Sequence, residues 1–188
     1  VFHARYPEIE IQLVEETTRN LEALTASGET DISLLSLPLA DPSLSWETLI
    51  EEEICLAVPH GHPLAEADRR RDGVRIEDLK GEPFIVLKKG QGFRMITVDL
   101  CRKAGFEPNI VFESSNIDTV QALVAAGMGI AFVPRMVTRD RSIPLTPAYV
   151  PLAEPKPTRT LVIAYRYGRY LPKSAEAFIA VLKEVVKP

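Results

Sequence analysis

Residues 88–101 read KKGQGFRMITVDLC, with Gly90 and Gly92 two apart, after the apolar run 84–87 and before an amphipathic segment. Strand, glycine loop and helix in that order can hold an anion, because a helix start offers unpaired amides and the positive end of the helix dipole. Lacking a Cβ, Gly92 would let a ligand approach the backbone closely. The same loop also reads as a plain strand-to-helix turn. A dinucleotide fingerprint fits poorly, because Met95 stands where the third glycine belongs. Glu113, the nearest acidic residue at the required distance, runs straight into Ser114-Ser115. No Gly-Lys-Ser/Thr follows, which excludes a P-loop.

Other reactive residue types are sparse. His60-Gly61-His62 has no acidic or cysteine partner nearby, and His3 is distant in sequence, so the histidines read as structural or surface residues. Cys101 falls on the apolar face of the segment beginning at Phe93 and reads as a small buried hydrophobe. A reactive thiol would need an electropositive, partly exposed setting, for which Arg94, Arg102 and Lys103 are near in sequence. No serine sits in a nucleophile elbow, and no carboxylate pair stands at strand ends beside a base, so nothing requires catalysis. Arg69-Arg70-Arg71 lies between Asp68 and Asp72 and suits a solvated turn.

The elements that must position these residues alternate in kind. Residues 8–15 alternate apolar and polar like a strand. Thr17-Thr18 opens a helix with Leu21, Leu24 and Ala23 on its apolar face, ended by Gly28. Residues 32–37 read as a strand buried on both faces, and 46–59 as one bent strand or two. A second unit begins near Ile76. Its strand at 84–87 leads into a helix over 91–105, and a strand at 109–113 leads into a helix opened by Ser115 and Asp118 as a capping box. Gly127 and Gly129 bracket a turn into a strand ending at Pro134. A strand at 160–164 and a helix over 172–186, with Ala175, Phe178, Ile179, Leu182 and Val186 as its buried stripe, complete the chain. This order predicts an α/β protein with mostly parallel sheets and a ligand cleft outside the strands' carboxyl ends.

Composition sets the bounds. The 188 residues carry a net charge of −4 and are 46% hydrophobic, enough for one domain or two small ones. Mild acidity argues against holding DNA or a membrane by charge alone. Two cysteines, Cys55 and Cys101, are too few for a disulfide framework, so a reduced, cytoplasmic setting is expected. No apolar run approaches the roughly 18 residues a membrane helix needs, and no signal peptide is visible. The opening VFHARYP reads as the end of a helix stopped by Pro7, so the chain is expected to begin inside a larger protein.

Four stretches in this order carry a family resemblance: PEIEIQLVE at 7–15, GETDI at 28–32, VPHGHPLA at 58–65 and LVAAGMGIAFVP at 123–134. Over essentially its whole length the chain resembles the C-terminal effector-binding domain of LysR-type transcriptional regulators. The resemblance implies two Rossmann-like α/β subdomains joined by two crossover strands, in the manner of a type II periplasmic binding protein. Subdomain I would be 1–75 with 144–188, lacking its first strand and the loop after it, and subdomain II 76–143. The N-terminal winged helix-turn-helix through which the family binds promoter DNA would lie outside this sequence.

Effector positions carried over by the resemblance are Thr17, with Thr18 as its neighbour, then Ser36, Gln91, Gly92, Phe93, Ser115 and Asn116. Hydroxyls, an amide, helix-start N–H groups and an aromatic face suit a small polar or carboxylated effector. Helix capping is the plain alternative for each hydroxyl. No cofactor or metal is implied, no enzymatic activity is expected, and a homodimer or homotetramer is. Peroxide-sensing members of the OxyR type keep a reactive cysteine two residues after the loop's first glycine and a resolving cysteine nine residues later. Here those places are Gly92 and Cys101, and the histidine preceding the reactive cysteine is Gln91, so a disulfide switch of that kind is not expected. The alternatives are an extracytoplasmic solute-binding protein, a redox sensor using Cys101 alone, or a two-domain α/β enzyme such as the deaminase that forms aminomethylbilane.

Overall fold

The computed structural model describes residues 1–66, 72–138 and 145–186, so the Arg69–Arg71 cluster lies outside the described residues. In chain order the elements are α1 (Phe2–Arg5), α2 (Thr18–Ser27), β1 (Ser33–Ser36), β2 (Leu44–Val58), β3 (Pro83–Leu87), α3 (Gly92–Lys103), β4 (Asn109–Ser114), α4 (Ile117–Ala125), β5 (Ala131–Pro134), β6 (Ala148–Pro151), β7 (Thr158–Arg166) and α5 (Lys173–Val185). Short 3₁₀ turns occupy Pro63–Ala65, Ile76–Leu79 and Arg135–Thr138.

The chain divides into two compact units, 1–51 with 160–188, and 52–159. β2 and β7 are the strands that pass from one to the other. The structure thus groups 52–75 and 145–159 with the second unit, where the sequence reading set them with the first. The cause is strand pairing: Ile54–Ala57 of β2 pairs with β5, and Cys55–Val58 pairs with β6.

In unit 1, β1 pairs antiparallel with β7 from Ser33↔Ala164 to Ser36↔Leu161. Leu35, Val162 and Ala164 form a small core with Leu21, Leu37 and Leu39 against it. Phe2 stacks on Tyr6 and meets Phe178 edge-on, with centroids 5.0 and 5.1 Å apart. α5 buries Ala175, Ile179 and Val181.

Three expectations for this unit need correction. Residues 9–17 form no strand; Leu13 is 85% exposed, and among the described residues no strand pairs with the segment. Alternation alone cannot make a strand without a partner to satisfy its amides and carbonyls. β1 is buried on one face only, since Leu34 is exposed between buried Ser33 and Leu35. α2 turns Glu22 and Thr25 inward, with Leu21 only partly covered and Ala23 exposed.

The central strands of unit 2 are buried on both faces, while β4 is largely exposed. Ile54, Leu56 and Val58 of β2, Phe84 and Val86 of β3, Phe132 of β5 and Val150 of β6 join the α3 residues Phe93 and Cys101 in one cluster. The alternate residues Cys55, Ala57, Ile85, Ala131 and Val133 join Val120 and Val124 of α4 in the other. This is the period-two division a strand imposes when both faces are covered. β3 and β4 are parallel, and Ile130 bridges β3 in parallel at Phe84. The pairs β1–β7, β2–β5 and β2–β6 are antiparallel, so the expectation of mostly parallel sheets is corrected; among the described residues parallel pairing is seen at β3–β4 and at the single bridges Phe84–Ile130 and Val74–Leu152. The crossover rule governs consecutive strands of one sheet, whereas β2 and β7 enter from the other unit.

Candidate functional site

The parallel register of β3 and β4 places Leu87 opposite Ser114, and the Lys88 amide donates to the Ser114 carbonyl at 2.9 Å. The loop 88–91 and the Ser115-Asn116 turn therefore leave neighbouring strands at the same carboxyl edge, and each opens a helix. This is where open α/β sheets bind ligands. Gly90 makes the first turn with φ 94, a left-handed conformation that L residues rarely adopt. Gln91 is the N-cap of α3 in extended conformation, and its side chain makes no capping bond. Its carbonyl accepts from the Arg94 amide at 3.1 Å. Gly92 is the first residue of α3.

Phe93 is buried rather than presented as an open aromatic face. Its ring packs in the unit 2 core, and the Arg159 guanidinium carbon lies 5.3 Å from its centroid. The start of α4 also differs from the expected capping box. Asn116 is the cap, its Oδ1 accepting from the Asp118 and Thr119 amides at 2.7 and 3.4 Å, while Ser115 is exposed beside it. An Asx side chain reaches the N2 and N3 amides from the residue immediately preceding the helix, and Asn116 holds that position. The Asn116 amide in turn donates to Ser114 Oγ at 3.2 Å.

Three further interactions fix this edge, and none was singled out from the sequence. Arg94 Nη1 donates to the Leu87 carbonyl at 2.8 Å and meets Glu113 Oε1 at 2.7 Å, tying the first turn of α3 to both strands. Gln121 Nε2 donates to Asp118 at 3.2 Å, while its Oε1 accepts from the Tyr149 hydroxyl, linking α4 to β6. Burial, with Asp118 adding to it, pushes the Tyr149 phenol above its ordinary value, so it stays a donor. Glu52 on β2 pairs with Arg159 on β7. A charge between Phe93 and Met95 was the available sequence signal for Arg94; Arg159, between Thr158 and Thr160, carried no such signal, and nothing named either partner.

Thr17 and Ser36 belong to unit 1. Thr17 caps α2, its Oγ1 accepting from the Asn20 amide at 3.3 Å, and Thr18 is the first residue of that helix. At the far end of α2, Thr25 Oγ1 meets Ser33 Oγ at 2.7 Å, where β1 begins. Ser36, partly buried, is the last residue of β1.

His60 and His62 have structural partners, and His62 Nε2 also lies 3.6 Å from Glu82 Oε2. His62 Nδ1 accepts from the Leu64 amide at 3.3 Å, and His60 Nε2 pairs with the Thr146 carbonyl at 2.8 Å. Among the described residues no cluster of His, Cys, Asp or Glu could hold a metal ion, and no helix is long and apolar enough to cross a membrane. Cys55 and Cys101 are both buried free thiols. Burial, with Glu107 adding to it, pushes the Cys101 thiol up to about 12.

Residues 1–187 match the LysR substrate binding domain family. The chain belongs to that family. As a LysR domain it is 40% identical, over 99% of its length, to the HTH-type transcriptional regulator YcgK of Bacillus subtilis (strain 168), of which it covers 61%. It is 30% identical to a hydrogen peroxide-inducible genes activator of Dickeya chrysanthemi over 89% of its length, covering 54% of that protein. The chain thus spans between half and two thirds of these relatives. The crystal structure of the C-terminal domain of a LysR family regulator from Rhodococcus sp. RHA1 superimposes with a TM-score of 0.83 at 29% identity, covering 96% of this chain and 87% of that one. The LysR domain therefore has the expected α/β, periplasmic-binding-protein-like type II fold.

Proposed function

We propose that this LysR domain senses a small polar or carboxylated effector for a bacterial transcriptional regulator, is not an enzyme, and works in the cytoplasm. The full-length protein would bind promoter DNA through an N-terminal winged helix-turn-helix and act as a homodimer or homotetramer. The observation that carries the reading is the side-by-side start of α3 and α4 after Leu87 and Ser114. The side-chain amides of Gln91 and Asn116 and the exposed Ser115 hydroxyl offer donors to an anion at the positive ends of two helices, and Gly92 has no Cβ to bar a close approach. Phe93 serves as a wall behind this edge. Thr17, Thr18 and Ser36 of unit 1 are proposed as effector positions on the family resemblance alone. An effector acts by binding two arrangements of the protein with different affinity.

The test is a thermal-shift screen of small carboxylates and polar metabolites, followed by calorimetry. Binders should lose affinity tenfold or more, about 1.4 kcal/mol, on Gln91→Ala and on Thr17→Val, each measured separately. Binders whose affinity survives both substitutions would place the site elsewhere. The redox alternative has little support: Gly92 occupies the reactive position, and the Cys101 thiol is buried and far from its thiolate range.

A further inference from the structure

We propose that Arg159 is a positioning residue for the start of α3, aimed by Glu52, so that the strands by which the chain enters and leaves unit 2 register the state of the Gln91–Phe93 turn. Glu52 and Arg159 are the first and last residues of unit 2. Arg159 Nε and Nη2 lie 2.7 and 2.6 Å from Glu52 Oε1, with the two side chains only 11% and 7% exposed. The second Glu52 oxygen accepts from the Met136 amide at 2.8 Å, and Arg159 Nη2 lies 3.3 Å from Met136 Sδ. The guanidinium plane thus has its edges fixed from β2 and from the turn after β5, leaving its carbon over the Phe93 ring.

A buried ion pair adds little net stability, because desolvation offsets the Coulomb attraction. It does fix geometry, since a planar fork held at two edges cannot rotate freely. Stacking on an aromatic ring then converts that orientation into a constraint on the ring. Phe93 directly follows Gly92, so a displacement of the helix start carries the ring with it, and the ring carries Arg159, Glu52 and the Met136 amide. By contrast, neighbouring Glu53 pairs with Arg135 and Lys156 in a more exposed setting and has no such link to α3. The functional consequence rests on the proposed effector site, but the coupling itself can be tested without ligand and fails or stands separately.

The experiment is amide nitrogen–proton NMR of the chain and of variants. Glu52 touches Arg159 and Met136, so Glu52→Gln should shift the Gly90–Arg94 amides only by way of Arg159. In an Arg159→Met background the same substitution should leave them in place. Arg159→Lys keeps a charge for Glu52 but loses the planar face, so it should move the Gly90–Arg94 amides while those of Glu52 and Met136 stay close to their original positions. Phe93→Leu, read in reverse, should shift the amides of Glu52 and Met136, and it serves where Glu52→Gln does not fold. Cys101→Ala disturbs α3 away from the ring and should leave Glu52 and Met136 unmoved. The proposal is overturned if Glu52→Gln, or Phe93→Leu in its place, leaves the other end unshifted, or if Cys101→Ala shifts Glu52 and Met136 equally.

Discussion

Arg94 Nη1 lies 2.7 Å from Glu113 Oε1 and donates to the Leu87 carbonyl at 2.8 Å. A cation in the first turn of a helix opposes the helix dipole. Here the Glu113 carboxylate offsets it, and the guanidinium spans the ends of two parallel strands. Arg94→Met should cost about 1–2 kcal/mol in urea unfolding, because the Leu87 carbonyl and Glu113 lose a charged donor. Glu113→Gln, where the acceptor is more exposed and a neutral oxygen remains, should cost under ~1 kcal/mol. Equal stability of Arg94→Met and the parent would mean that the brace does not hold the helix start.

The two polar residues opening α4 separate cleanly. Asn116→Ala should cost ~1 kcal/mol by chemical denaturation, since Oδ1 satisfies the Asp118 and Thr119 amides, and Asn116→Asp should restore most of it. Ser115→Ala should be nearly neutral for stability. A larger loss at Ser115 than at Asn116 would contradict the capping assignment.

These helix starts also show what the sequence could and could not convey. Apolar periodicity located α2 through α5 and most strands, because burying one face of a helix or strand is written in residue spacing. The both-face burial of unit 2 was legible only in part, as continuous apolar runs such as 84–87. The segment 8–15 misled because alternation states what a strand would bury, while its existence depends on a partner elsewhere. Glu22 and Thr25 misled for the opposite reason. Each is polar yet buried, since each satisfies groups on a distant segment that no local pattern announces. At the site, Gln91 and Gly92 were readable as loop chemistry, whereas the cap of α4 was read as Ser115 in place of Asn116, and Arg159 reaches Phe93 across 66 positions of sequence.

Glu22 gives a stability prediction in unit 1. Its Oε2 accepts from the Ala40 and Asp41 amides at 2.9 and 2.8 Å, and the side chain is buried. Glu22→Ala leaves both donors unpaired and should cost about 1–3 kcal/mol. Glu22→Gln keeps one oxygen acceptor and should cost less. Amide exchange at Ala40 and Asp41 should quicken in both variants, and unchanged exchange there would count against the contact.

The Cys101 thiol has a folded-state value pushed up to about 12 from an ordinary 9.0, chiefly by burial. Its proton is therefore held more tightly in the folded chain than in the unfolded one. The associated stability is fully present below pH 9.0, and it declines as pH rises from there toward 12. Cys101→Ala should flatten that alkaline decline in denaturation midpoints measured between pH 8 and 11. At neutral pH, a disulfide reagent should label neither cysteine in the folded chain and both after unfolding. Rapid labelling of Cys101 in the native protein would revive a redox role.

Gly73 is the position where backbone geometry and packing coincide. Its φ of +80 is left-handed, and a Cβ there would lie 2.7 Å from the Ala153 nitrogen and 2.8 Å from both Ala153 Cα and the Leu152 carbonyl carbon. The following residue, Val74, is fully buried, donates to the Pro151 carbonyl at 2.9 Å and accepts from the Ala153 amide at 3.0 Å. A side chain at Gly73 therefore pushes directly against the strand that Val74 bridges. Gly61 has nearly the same φ, +82, but nothing lies within 4 Å of its added Cβ. Gly61→Ala should thus cost only the conformational strain, roughly 1–2 kcal/mol. Gly73→Ala should add a backbone clash of about 1–3 kcal/mol to that. Thermal denaturation of the two variants isolates the steric part, and equal losses at both positions would show that the backbone around Val74 and Leu152 yields without cost.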